Sequence, residues 1–135
     1  MATKEEIIAF LQQDFPQFDN IIESVSESSA VIRRKVTEAD LRPGGTVSGP
    51  TLFAVADSAL YVAVLGAVGI IPLAVTTNIS MNFMRRPSPD ADIIGKCTLL
   101  KVGRTLVVGE VALYSDGDDA PIAHAVGTYA IPPKR

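Results

Sequence analysis

Between Arg42 and Arg85 the chain runs for 42 residues with a single charge, Asp57. The whole sequence of 135 residues holds 12 basic and 15 acidic side chains. Spread evenly, they would put about 8 charges in that stretch. A run this apolar has to be buried, in lipid or in protein. Its charge-free part, Ser58 to Met84, is long enough for a bilayer, which takes about 20 apolar residues. Its interior argues against that. Gly66, Gly69 and Pro72 break the run, and Thr76, Thr77, Asn78, Ser80 and Asn82 make its second half polar. Asp57 would also sit at or near hydrocarbon, at high cost. A buried helix followed by a strand accounts for the same letters without a membrane.

The flanking segments supply the rest of a small fold. Residues 3–13 place Ile7, Ile8 and Leu11 at helical spacing behind a Thr3/Glu6 capping pattern, and Pro16 stops the helix. Residues 20–37 are rich in β-branched side chains and predict two strands, with Ser26–Ser29 as the turn. Residues 38–49 predict a loop, and Pro50 the first position of a helix running to about Val64–Gly66. That helix is apolar on every face, so it is expected to be buried all round. A strand is expected from Pro72 through Phe83, then three more near 91–101, 104–114 and 121–131, with turns at Val102-Gly103 and Asp116–Asp119.

One helix apolar all round needs an antiparallel sheet curled about it, which is an α+β fold. The length suits a single domain, residues 1–135, with residues 1–16 as an N-terminal helical extension. One small sheet covers only one side of the helix, so a second copy of the chain is expected on the other.

Composition excludes several function classes. The net charge is −3 and the pI about 5.0, which leaves no electrostatic footprint for nucleic acid. Arg33-Arg34-Lys35 reads as a solvated strand face. The first residues lack a basic segment followed by an apolar one, so no signal peptide is expected, and the cytoplasm is the expected location. Cys97 is the single cysteine and cannot form an internal disulfide or a Cys-based zinc site; it reads as a small core residue, and no metal is expected.

Asp57 carries the chemical signal. No Lys, Arg or His lies within 14 residues of it in sequence, and a buried lone carboxylate needs a specific partner or a role. Hydrogen bonding to Ser58 or to a strand threonine would also satisfy it. Gly44, Gly45 and Gly49 lead into the same helix, whose N-terminus offers unpaired N–H donors able to hold a developing oxyanion. Eight residues of straight helix separate Gly49 from Asp57 by about 12 Å. That is too far for both to act on one carbonyl, unless two antiparallel helices lie side by side and each gives its N-terminus to the other's Asp57.

The stretch Arg42-Pro-Gly-Gly-Thr-Val-Ser-Gly-Pro-Thr-Leu-Phe-Ala-Val-Ala-Asp-Ser-Ala resembles the signature of the hotdog-fold thioesterases of the phenylacetate-pathway (PaaI-like) family. There a G-T-x-H-G-G stretch leads into the central helix, and an Asp follows eight residues after the first Gly of H-G-G. Val75–Pro87 resembles the family's next strand, Lys101-Val-Gly-Arg-Thr-Leu its hairpin and Ala123–Tyr129 its last strand, so the resemblance covers roughly residues 20–131. It implies a hotdog fold, an antiparallel sheet wrapped around one long central helix, working as a dimer or a dimer of dimers. It implies hydrolysis of a small or medium acyl- or aryl-coenzyme A, with coenzyme A part of the substrate and no separate cofactor.

By the same resemblance Asp57 is the nucleophile or general base, the Gly49 amide polarises the thioester carbonyl, and Thr76 helps place the attacking water. Arg85 and Arg86, with Lys101, Gly103 and Arg104, lie where related proteins meet the phosphates of coenzyme A. Ser48 stands where the family has His, Pro50 where it has a second Gly, and Arg42 where Asn or His is common. These departures bear on the carbonyl-side hydrogen bonds and on substrate choice.

A protein that binds acyl-coenzyme A without cleaving it is the alternative. A hydratase or dehydratase on the same fold would need a histidine beside the carboxylate. The only histidine, His124, lies in a strand and reads as structural. A Ser48–His124–Asp57 triad would lack the G-x-S-x-G elbow.

Overall fold

The computed structural model describes residues 1–133, so the last two residues of the expected domain lie outside it. Helix α1, Lys4–Asp14, starts at a capping box: the Glu6 N–H donates to Thr3 Oγ1 and the Thr3 N–H to Glu6 Oε1. Ile7 and Leu11 are its buried side chains, and Phe15 ends it just before Pro16. Strands β1, Ile21–Val25, and β2, Ser29–Arg34, form the first hairpin. A short 3-10 turn, Glu38–Asp40, lies inside the segment expected to be only loop.

Helix α2 spans Gly49–Val68. It begins one residue earlier than expected, because Ser48 caps it, and runs at least two residues further, to Gly69, whose φ of +100° ends it. Strands β3, Val75–Phe83, β4, Ile93–Val102, β5, Leu106–Ser115, and β6, Ala123–Ala130, complete one antiparallel sheet in the order β1-β2-β4-β5-β6-β3. The helix lies across β2, β4, β5 and β6.

Small residues set how closely helix and sheet approach. Gly109 and Gly127 face each other across β5 and β6. A Cβ on either would come within 2.7 Å of the Leu60 side chain, so Leu60 fills the space that two side chains would otherwise occupy. Ala59 through Gly66 are all buried, and the helix crosses protein here, not lipid.

Two expectations need correction. Helix α2 is not buried all round: Pro50, Phe53 and Ala54 in its first half are exposed, Phe53 by 41%. The bare side is the one that the sheet does not reach. Nor are Arg33 and Arg34 simply solvated. Arg33 donates to Glu23, Asp92 and Asp116, and Arg34 to Asp19 and to the buried Asp40, because acidic side chains from β1, the 3-10 turn and neighbouring loops converge on the strand. Cys97 is buried in the core, as expected, and burial pushes its thiol up to about 12.

Candidate active site

Asp57 sits midway along α2 on its half-covered side. Its Oδ1 accepts two hydrogen bonds of 2.8 Å, one from Thr76 Oγ1 and one from the Tyr129 hydroxyl. The two donors are cross-strand partners, Thr76 on β3 and Tyr129 on β6, and residues directly opposite in a ladder present side chains to the same face. Along β3, Thr76 is three residues from Ile79, which in a regular strand would put them on opposite faces. The register shift between Thr76 and Asn78 corrects the parity. Thr76 thereby meets Asp57 while Ile79 packs on the core.

A groove of about 330 Å³ opens beside Asp57, walled by Phe10, Phe15, Phe18, Tyr61 and Val75. Four aromatic rings at the groove form a chain of contacts. Tyr129 stacks on Tyr61 at 5.8 Å, Tyr61 meets Phe15 edge-on at 6.3 Å, and Phe15 meets Phe18 at 6.0 Å. A second cleft of about 450 Å³ is lined by Arg33 and acidic residues, but Arg33 is already paired with three of the carboxylates around it.

The other sequence-predicted residues divide between two ends of the sheet. Val75 pairs with Ala130 and Ala130 with Leu106, so the β4–β5 hairpin holding Lys101, Gly103 and Arg104 lies at the Thr76 end. Gly103 closes that hairpin, its N–H donating to the Leu106 carbonyl at 2.9 Å. Phe83 is at the far end of β3, about 23 Å from Thr76 at roughly 3.3 Å per residue. Arg85 and Arg86 follow it, both exposed. Gly49 is at this far end too: its Cβ position is 3.7 Å from the Phe83 ring. The candidate residues of one chain therefore fall into two separated groups. Asp57, Thr76, Lys101, Gly103 and Arg104 lie towards one end; Gly49, Arg85 and Arg86 lie at the other.

Ser48 is engaged as the helix cap, accepting from the Thr51 N–H at 3.3 Å with its hydroxyl 2.9 Å from that of Thr51. His124 bonds to Glu110 at 2.9 Å. It alternates along β6 with the buried Ala123 and Ala125, so it faces away from the helix and from Asp57. That orientation removes the Ser48–His124–Asp57 triad and the histidine that a hydratase would need. Sequence reasoning missed Tyr129. The alternation of Ala123, Ala125, Gly127 and Tyr129 on the buried face of β6 was the available signal.

The family model of the thioesterase superfamily matches residues 44–122, which is more than half of the chain. The chain belongs to the thioesterase superfamily. A candidate thioesterase of Silicibacter sp. TM1040 is 46% identical over 97% of this chain and 92% of its own, with a TM-score of 0.89. A hypothetical thioesterase from Streptococcus pneumoniae TIGR4, solved with coenzyme A, shares the fold at 22% identity and a TM-score of 0.80, covering 96% of this chain and 98% of its own. The PaaI protein of the E. coli phenylacetic acid degradation operon shares it at 22% identity and a TM-score of 0.73, over 82% of each chain. A comparison with curated proteins finds no match. The molecule is a hotdog-fold thioesterase, and thioester hydrolysis is its class of reaction.

Proposed function

We propose that this thioesterase hydrolyses small or medium acyl- or aryl-coenzyme A at sites shared between two copies of the chain, with Asp57 as the reacting carboxylate. One observation carries the reading: the half-site holding Asp57 and the half-site holding Gly49 and Arg85 lie at opposite ends of one sheet. Strand β3 is an edge strand with one neighbour, β6. It is largely exposed and carries no charge or proline, the usual protections of an edge that stays unpaired. Pairing β3 antiparallel with its copy sets the start of one strand against the end of the other. Each Asp57 then gains a partner's helix N-terminus and a partner's pair of arginines, and two equal sites result.

In such a site the coenzyme phosphates meet Lys101 and Arg104 from one chain and Arg85 and Arg86 from the other, as charge-assisted contacts. The acyl group enters the aromatic groove beside Asp57. The partner's helix N-terminus, through the Gly49 N–H, holds the carbonyl oxygen as it takes on negative charge. Oδ2 of Asp57 attacks the thioester carbon, expelling the thiolate of coenzyme A and leaving a mixed anhydride that water then cleaves, or it removes a proton from the water that attacks and passes that proton to the departing thiolate. Thr76 donates to Asp57 itself, so its hydroxyl acts on the carboxylate before any water. The cytoplasm is the proposed location.

Hydrolysis of a panel of short, medium and aryl acyl-coenzyme A substrates, followed by release of free thiol, tests this. Wild type should turn over at least one member of the panel, and Asp57→Asn should lower kcat by about 10³-fold or more. Tight binding of a non-hydrolysable analogue with no turnover of any thioester would instead make the chain a binding protein.

A further inference from the structure

Tyr129 is a buried polar side chain at the site for which hydrolysis, as set out above, has no use. We infer that Tyr129 is a positioning residue: together with Thr76 it holds Oδ1 of Asp57 and so presents Oδ2 to the groove. The inference rests on the proposed role of Asp57 and adds a second residue to it.

The geometry is specific. Tyr129 is 4% exposed, and its hydroxyl lies 2.8 Å from Asp57 Oδ1. A buried hydroxyl must find an acceptor, but a core tyrosine has many backbone carbonyls to choose from. Here the hydroxyl points at the one carboxylate of α2, with the backbone carbonyl of Asp57 only a distant second at 3.5 Å. The ring is held from the side, stacked on Tyr61 with 25° between planes. The phenol also stays protonated, because burial and the adjacent charge of Asp57 push its ionisation well above the ordinary tyrosine range. It is therefore a fixed donor at any working pH.

Two donors on one oxygen restrict the carboxylate more than one can. Thr76 alone leaves Asp57 free to pivot about that single contact. With Thr76 on β3 and Tyr129 on β6, Oδ1 is held from two adjacent strands. Among the described residues no hydrogen bond is made to Oδ2. Loss of either donor should misdirect the reacting oxygen rather than weaken substrate binding.

Tyr129→Phe keeps the ring, its stacking and its burial while deleting one O–H. The expected result is a kcat about 10-fold lower with KM within about twofold of wild type. Thr76→Val should act in the same direction. The double variant should lose less than the product of the two single losses, because each deletion already ends the two-point hold. A second readout needs no turnover. The Tyr129 hydroxyl proton, held on a carboxylate, should give a slowly exchanging downfield proton resonance that is lost in Tyr129→Phe and moves upfield in Asp57→Asn.

An unchanged kcat in Tyr129→Phe, or a rise in KM with kcat intact, overturns the inference. So does a hydroxyl resonance that ignores Asp57→Asn. A wild type inert towards every thioester, but with a Tyr129 resonance that responds to Asp57→Asn, overturns the catalytic reading while the positioning contact stands. If Tyr129→Phe does not fold, Thr76→Val and the resonance in Asp57→Asn decide the matter.

Discussion

Asp40 is as thoroughly buried as Leu11, each 4% exposed, yet it carries a charge. Arg34 makes this tolerable, reaching Oδ1 through Nη2 at 2.7 Å and Oδ2 through Nε at 3.3 Å, while the Thr37 N–H donates to Oδ2 at 2.9 Å. Burial pushes the Asp40 carboxyl up, but Arg34 and Thr37 together outweigh it and hold the group below the usual carboxylate range. The folded value is thus lower than the unfolded one. The stabilisation is complete above the ordinary Asp range and is lost as pH falls through the folded value. Asp40→Ala should cost about 3 kcal/mol at neutral pH, and the gap from wild type should narrow in urea titrations run below about pH 4. Asp57 was legible in the sequence because an isolated charge in an apolar helix stands out. The pairing of Arg34 with Asp40 was not, since the two lie six positions apart across a strand end and the composition around them is ordinary. Tyr129 was hidden for a different reason: its contact joins residues 72 positions apart.

At the scale of elements, the inward faces of β5 and β6 are shaped around one side chain. Gly127→Ala would bring a Cβ to 2.7 Å from Leu60 Cδ2 and 3.0 Å from Ile79 Cγ1. Both neighbours are held in the core, so the variant should unfold with about 1–3 kcal/mol less stability in urea than wild type. Local signals in the sequence placed both α-helices and all six strands to within a few residues, because each element's pattern is local. They could not place the bulge near Thr77. The letters Val75-Thr-Thr-Asn-Ile-Ser-Met-Asn-Phe alternate well enough for a regular strand. Only the pairing with β6 reveals that Thr76 and Ile79 share a side. The aromatic wall of the groove had the same problem, since Phe15 and Phe18 come from the link after α1 and reach Tyr61 only once the chain has folded.

For the whole molecule, the resemblance carried the fold and reaction class further than periodicity did, and the geometry sorted the predicted residues. Eight residues along α2 already put Gly49 and Asp57 of one chain too far apart to act on one carbonyl. The register of β3 extends this to Arg85 and Arg86, at the Gly49 end, and to Lys101 and Arg104, at the Asp57 end. A shared site predicts complementation. Chains carrying Asp57→Asn, co-expressed in equal amounts with chains carrying Arg85→Ala and Arg86→Ala, should regain about a quarter of the intact sites. Activity at low substrate would then exceed that of either variant alone. Sites confined to one chain would show no such gain. A shared site would also make the catalyst dependent on its own concentration. Diluted below the dissociation constant of the pair, each chain would have no complete centre, so turnover per chain would fall with dilution. Substrate would work against this fall, because a molecule that touches both halves would bind the pair and not the separate chains, and mass action would then draw the halves together. An acyl-coenzyme A would be the compound hydrolysed and also the agent that assembles its own hydrolase.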